Sequence, residues 1–176
     1  MTADLIRGLI RDVPDFPKAG VMFKDITPVL ADAGAFDSAL DLIIGPVRDT
    51  GVTKVAGIEA RGFMFAAPIA CRLDAGFIPI RKPGKLPREV VEQEYALEYG
   101  TDALQVHADA IAAGDRVLVI DDVLATGGTA AASVDLLHQL GADVVGVSVL
   151  LELVFLGGRA KLDHVAFHAV VSDGEV

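Results

Sequence analysis

The chain has 176 residues, 52% of them hydrophobic and 23% charged, with 15 basic against 25 acidic side chains and a net charge of -10. That length suits one domain that buries its core without disulfides or a structural metal. The acidic balance argues against general nucleic-acid binding, which rests on many lysines and arginines meeting phosphates, and a lone cysteine, Cys71, excludes an intrachain disulfide.

Leu5, Ile6, Leu9 and Ile10 stand at helical spacing behind Thr2, which predicts a short amphipathic helix over residues 2–12 with Thr2 as its N-cap. Pro14, Pro17 and Gly20 then predict an extended segment through Phe23 to Pro28, whose backbone groups are free to meet a ligand. Phe36, Leu40, Ile43, Ile44 and Val47 predict a second helix, bent or ended by Gly45-Pro46. Lys54–Ile58 reads as a strand, Gly62–Leu73 as a helix with Cys71 on its apolar face, and Phe77–Arg81 as a strand. This alternation is the pattern of a parallel α/β sheet.

Between Lys82 and Gln93 the chain carries prolines, a glycine and charges without periodicity, followed by β segments near Tyr95–Tyr99 and Ala103–His107. Residues 82–107 therefore read as a flexible flap on a β-hairpin. Arg81, Lys82, Lys85 and Arg88 form a basic patch, with no acid among residues 81–88. A strand at Val117–Ile120, a helix through Val134, Leu137 and Leu140, and strands near Val144–Leu151 and Val165–Val171 complete the chain. The expected fold is α/β: one domain over residues 1–176, a parallel sheet flanked by helices, with the hairpin flap. The amino terminus has no signal-peptide pattern. The apolar stretch near residues 144–156 is interrupted by Ser148 and Glu152 and is too short to span a bilayer. A cytoplasmic location without a membrane anchor is expected, and the high apolar fraction favours burial of some surface between subunits.

Val117 to Thr129 is the most informative stretch. An apolar strand leads into Asp121 and Asp122, and Thr126-Gly127-Gly128-Thr129 opens a helix. Ligands of open α/β sheets gather at carboxyl strand ends, and backbone N–H groups at a helix start form an anion cradle. Carboxylates repel phosphate, so Asp121 and Asp122 fit sugar hydroxyls or a hydrated cation, and the combined pattern suits a phosphorylated sugar. Neither the P-loop nor the Rossmann glycine spacing occurs.

This stretch resembles the phosphoribosyl pyrophosphate signature of type I phosphoribosyltransferases. Phe16-Pro17-Lys18-Ala19-Gly20-Val21-Met22-Phe23-Lys24-Asp25-Ile26, Arg61-Gly62-Phe63, Arg81-Lys82-Pro83-Gly84-Lys85-Leu86-Pro87 and Leu97-Glu98-Tyr99-Gly100 narrow the resemblance to the adenine phosphoribosyltransferases. The resemblance implies Mg²⁺-dependent transfer of ribose 5-phosphate from phosphoribosyl pyrophosphate to adenine, by a homodimer. It implies that Ala125, Thr126, Gly127, Gly128 and Thr129 hold the 5-phosphate and that Asp121 and Asp122 hold the ribose hydroxyls. Glu59, Ala60 and Arg61 match the pyrophosphate loop, with Ala60 where many members carry Ser, and Arg81, Lys82 and Lys85 match the cations that meet pyrophosphate. Phe23 and Leu156 match the residues on the two faces of adenine. The backbones of Met22 and Lys24 match those that bond its edge, Lys24 standing where arginine is common, and Glu98 is the catalytic candidate. No protein ligand to Mg²⁺ is assigned, because substrate and water would mainly hold the ion.

Two other readings compete: transfer to another base, and a regulator that senses phosphoribosyl pyrophosphate without catalysis. The short acidic chain lacks the basic module a DNA-binding regulator needs. His164 and His168 share a face on a strand pattern without a carboxylate partner, so no metal site is expected there, and His107 and His138 read as surface residues. No residue pattern supplies a covalent nucleophile.

Overall fold

A computed structural model describes residues 2–96 and 100–174. In chain order the elements are α1 (Ala3–Arg7), β1 (Arg11–Val13), β2 (Phe23–Asp25), α2 (Thr27–Ala31), α3 (Ala33–Ile44), β3 (Lys54–Ile58), α4 (Gly62–Arg72), β4 (Gly76–Ile80), β5 (Val90–Ala96), β6 (Thr101–His107), β7 (Arg116–Leu124), α5 (Gly128–Gln139), β8 (Asp143–Leu153) and β9 (Phe167–Asp173), with short 3₁₀ turns at Gly45–Val47, Val154–Leu156 and Gly158–Leu162. Five strands form one parallel sheet in the order β4-β3-β7-β8-β9. The near-continuous apolar runs of β3, β7 and β8 suit it, because a parallel sheet is covered on both faces.

Each face has its own core. Val55, Leu118, Ile120 and Leu150 pack with Ile6, Val29, Ile43, Ile44, Phe65 and Ile69 of the first four helices. On the opposite face Val117, Val119, Val147 and Val149 meet Val134, Leu136 and Leu137 of α5, and Leu104 and Val106 of the β5–β6 hairpin join them. The alternation of neighbours along β7 between the two sets follows from the two-residue period of a strand.

Local expectations hold where periodicity is long and shift where pairing intervenes. The helix expected over residues 2–12 ends at Arg7, because Arg11–Val13 pairs antiparallel with Phe23–Asp25, and Thr2 makes no side-chain cap. The segment expected to be extended through Pro28 thus contains β2 and the start of α2. The second helix is capped by Asp32, whose side chain accepts from the Ala35 N–H at 2.8 Å, and passes into a 3₁₀ turn at Gly45-Pro46. Cys71 is exposed, not on the apolar face of α4. Leu97, Glu98 and Tyr99 lie outside the described residues. Among the described residues no helix is long and apolar enough to cross a membrane.

The seat of α4 on the sheet depends on a missing side chain. A Cβ on Gly57 would stand 2.7 Å from the Ala66 methyl and 2.9 Å from the Phe77 ring. Gly57→Ala is therefore expected to destabilise the fold by about 1–3 kcal/mol, the usual cost of overpacking. Denaturant melts compared with the wild type check this, and an unchanged midpoint would show that α4 can shift without loss.

Candidate active site

Parallel pairing sets Ile58 beside Ile80 and Gly57 beside Ile120, so the turns after β3, β4 and β7 emerge together. The first carries Glu59, whose side chain is 10% exposed. Its Oε2 accepts from Arg81 Nε at 3.2 Å and from the Lys82 backbone N–H at 3.0 Å, while Lys85 Nζ donates to Oε1. Burial pushes the Glu59 carboxyl up, but hydrogen bonds from Lys85, Lys82 and Arg81 outweigh it and bring its pKa down to about 2. The Glu59–Ala60 peptide is cis, as is Phe16–Pro17.

The remaining cations of the 81–88 run are paired too. Lys82 Nζ donates to Asp102 and, at 2.8 Å, to the Tyr95 hydroxyl, and Arg88 pairs with Asp109. The Tyr95 hydroxyl donates to Asp102 at 3.1 Å and accepts from Thr129 Oγ1 at 3.4 Å, which joins the hairpin to the start of α5. Burial works against the Lys82 charge, yet its bonds to Asp102 and Tyr95 hold its pKa above the usual amine range. The hydrogen bond from Lys82 keeps the Asp102 carboxyl below its ordinary range. A run without an acid in the sequence is thus neutralised by carboxylates brought from β6, from the turn that follows it and from the turn after β3.

Asp121 and Asp122 lie within β7, and the strand runs on to Leu124. Asp122 is buried, with Oδ2 2.7 Å from Arg61 Nε, but this contact is an ion pair without the angle of a hydrogen bond, so Oδ2 accepts none. Asp121 accepts from the Asp122 N–H at 2.9 Å. Burial, then the neighbouring Asp122 charge, pushes the Asp121 carboxyl well above its ordinary range. Arg61 also lies over the Phe23 ring, 5.3 Å from its centre, so one guanidinium joins the β3 turn, the β7 carboxylate and the β1–β2 hairpin.

After β7, residues Ala125 to Thr129 wrap a cavity of about 80 Å³ and lead into α5. Gly127 takes φ 75°, and its missing Cβ would lie 2.3 Å from the Gly158 carbonyl oxygen. The reciprocal Cβ on Gly158 would lie 2.2 Å from the Ala125 oxygen. Backbone meets backbone here, and the first N–H groups of α5 have no partner within the helix. The turn that carries Gly158 also carries Leu156, which is 39% exposed. It is fixed by Arg159, whose Nε and Nη2 donate to the buried Glu152 carboxylate at 3.1 and 2.8 Å, with Ser172 Oγ donating to the same group. A wider cavity of about 800 Å³ is lined by Glu152, Arg159 and Phe167 and holds none of the expected site residues. The converging donors, not the larger volume, mark the site.

Residues 36–174 match the phosphoribosyl transferase domain family. An adenine phosphoribosyltransferase of Anaeromyxobacter dehalogenans is 56% identical over 96% of this chain and 98% of its own. The chain belongs to the adenine phosphoribosyltransferase family. The crystal structure of adenine phosphoribosyltransferase from Thermoanaerobacter pseudethanolicus is 49% identical, with a TM-score of 0.94 over 98% of this chain and 100% of that one. The APRTase of Giardia lamblia, complexed with 9-deazaadenine, is 34% identical with a TM-score of 0.93 over 99% of both chains.

Within this adenine phosphoribosyltransferase fold, Phe23 meets the edge of Phe16 at 5.0 Å between ring centres, and Met22 is exposed. The Lys24 side chain turns away from Phe23, as alternation along a strand requires, and pairs with Asp12 at 2.8 Å and Asp173 at 2.5 Å. Glu98 lies outside the described residues. The structure adds Tyr95 and Asp102, whose proximity to Lys82 depends on hairpin register, and Lys161, whose Nζ would be 3.9 Å from a Cβ on Gly128. Two histidines, His107 and His164, stand differently from expectation. His107 has a buried Nε2 without a hydrogen-bond partner, and His164 precedes β9 while His168 bonds through Nε2 to the Leu42 oxygen at 3.0 Å.

Because Glu59 titrates below its ordinary 4.5, its charge supports the fold above that value, and the contribution is lost as pH falls through about 2. Glu59→Gln is expected to lower the Tm at neutral pH, with the gap from the wild type closing as the pH falls from 4.5 to about 2. A gap that stays constant over that window would show that the Glu59 charge does not hold the turn.

Proposed function

We propose that this chain transfers ribose 5-phosphate from 5-phosphoribosyl 1-pyrophosphate to N9 of adenine, releasing AMP and pyrophosphate as a step of purine salvage. The reading rests on one juxtaposition: the Ala125 to Thr129 cradle stands at the same sheet edge as Arg61, Arg81, Lys82 and Lys85. A sugar phosphate and a second polyanion are thereby served side by side. Family membership supplies the base.

The reaction breaks the C1–oxygen bond to pyrophosphate, forms a C1–N9 bond and removes the N9 proton. Positive charge grows on the ribose ring and negative charge on the leaving group, so preorganised cations and dipoles around pyrophosphate lower the barrier. In this proposal the Ala125 to Thr129 amides and hydroxyls hold the 5-phosphate, and Asp121 and Asp122 orient the ribose hydroxyls. Their carboxylate oxygens accept from such hydroxyls. Glu59, Ala60 and Arg61 frame pyrophosphate together with Arg81, Lys82 and Lys85. Phe23 and Leu156 flank adenine, the Met22 and Lys24 backbones read its edge, and Glu98 exchanges its proton. The 82–107 flap excludes water that would otherwise intercept the activated ribose.

Asp121 and Asp122 in β7 are hard oxygen donors beside the cradle. They would hold Mg²⁺ through water when it arrives on substrate phosphates. Bound there, the ion would neutralise charge on the departing pyrophosphate. A cytoplasmic homodimer is part of the same proposal. The lone cysteine suits a reducing compartment, and exposed Met64 on α4 and Phe77 on the edge strand β4 offer apolar surface for a second copy to cover.

Purified protein incubated with phosphoribosyl pyrophosphate, Mg²⁺ and, separately, adenine, hypoxanthine, guanine and orotate is expected to form nucleotide only from adenine. Glu98→Gln should lower kcat by about 10²–10⁴-fold, and Asp122→Asn should lower kcat/KM by roughly tenfold or more. Nucleotide from another base would redirect the specificity, and ligand binding without any product would favour a sensor.

A further inference from the structure

Four cations stand ready for pyrophosphate, yet each is already engaged by a carboxylate. Arg61 pairs with Asp122, Arg81 and Lys85 with Glu59, and Lys82 with Asp102. The last pair differs in origin. Glu59 and Asp122 follow β3 and lie in β7 of the sheet, whereas Asp102 belongs to β6 of the hairpin, opposite Tyr95 in the antiparallel register. Lys82 itself is held from both sides, its backbone N–H by Glu59 at 3.0 Å and its ammonium by Asp102 and the Tyr95 hydroxyl. The Tyr95 hydroxyl is also the acceptor for Thr129 Oγ1, and the Tyr95 ring would lie 3.5 Å from a Cβ on Gly128.

We propose that Asp102 is an internal stand-in for pyrophosphate: with Tyr95 it parks Lys82, and incoming pyrophosphate must take the ammonium from it. The inference rests on the pyrophosphate role of Lys82 proposed above. A lysine ammonium is a compact charge on a flexible stem and can be handed from one anion to another. The Asp102 and Lys82 side chains are 31% and 33% exposed, so solvent and an incoming anion reach both partners. Asp102 is thus a positioning residue that sets affinity for the leaving group. It keeps Lys82 ordered between turnovers and competes with pyrophosphate for it. The Tyr95 link to Thr129 places this exchange against the phosphate cradle, where a bound 5-phosphate would meet the same hydroxyl pair.

The sign of the effect separates this role from a structural one. Asp102→Asn keeps the shape and removes the competing charge, so pyrophosphate and phosphoribosyl pyrophosphate should bind about threefold more tightly by calorimetry with Mg²⁺, the scale of one partly exposed ion pair. Asp102→Glu should restore the wild-type affinity. In a Lys82→Met background Asp102→Asn should lose most of its gain, the coupling expected of two residues in contact. Weaker binding in Asp102→Asn, or a gain that persists undiminished without Lys82, overturns the inference while adenine turnover by the wild type leaves the proposed function standing. A wild type that neither binds pyrophosphate nor makes AMP overturns both.

Discussion

Parallel pairing is the constraint on which the site depends. When β3, β4, β7 and β8 all point the same way, the turns that leave them share one edge, and residues distant in the chain become neighbours. The turns can crowd together only because side chains are missing where backbones touch. Gly62 sits where a Cβ would be 2.8 Å from the Ile120 carbonyl oxygen, which lets the start of α4 approach β7. Gly127 and Gly158 do the same between the cradle and the turn bearing Leu156. The cradle, the Arg61 turn and the Leu156 turn are held by backbone contact, which leaves little slack.

Charge pairing is the second layer. Bringing several cations to one edge carries a cost of mutual repulsion, and the chain offsets it with carboxylates that are themselves part-buried. Glu59 is the clearest instance, since one carboxylate receives a guanidinium, an ammonium and a backbone N–H. Its depressed pKa is the outcome of that company. Asp121 moves the opposite way, because burial and the adjacent Asp122 disfavour its charge. The company each carboxylate keeps decides the direction in which it moves.

Much of the fold was legible from pattern. Lys54–Ile58 emerges with its expected limits, and α4 ends one residue early. Such runs are long and apolar, and burial on both faces leaves them few alternatives. The glycine-threonine turn into α5 was legible too, because a tight helix start favours small residues in a fixed local order. The β1–β2 pairing was not, since three-residue strands carry no periodicity of their own and form only against each other. Nor was the partner of Lys82, which depends on which residue of β6 the hairpin register sets near it.

The sequence by itself determined the sheet strands, the glycine-rich turn into α5 and the inventory of cations, because these are encoded in contiguous residues whose hydrophobicity, size and charge act locally. Tertiary structure alone decided how those charges are spent. Only the folded chain brings Glu59 to Arg81 and Lys85, Asp102 to Lys82, and Arg61 to both Asp122 and Phe23. The physical reason is that an ion pair falls off over a few ångströms, so its partner is fixed by strand order and register and not by distance along the chain.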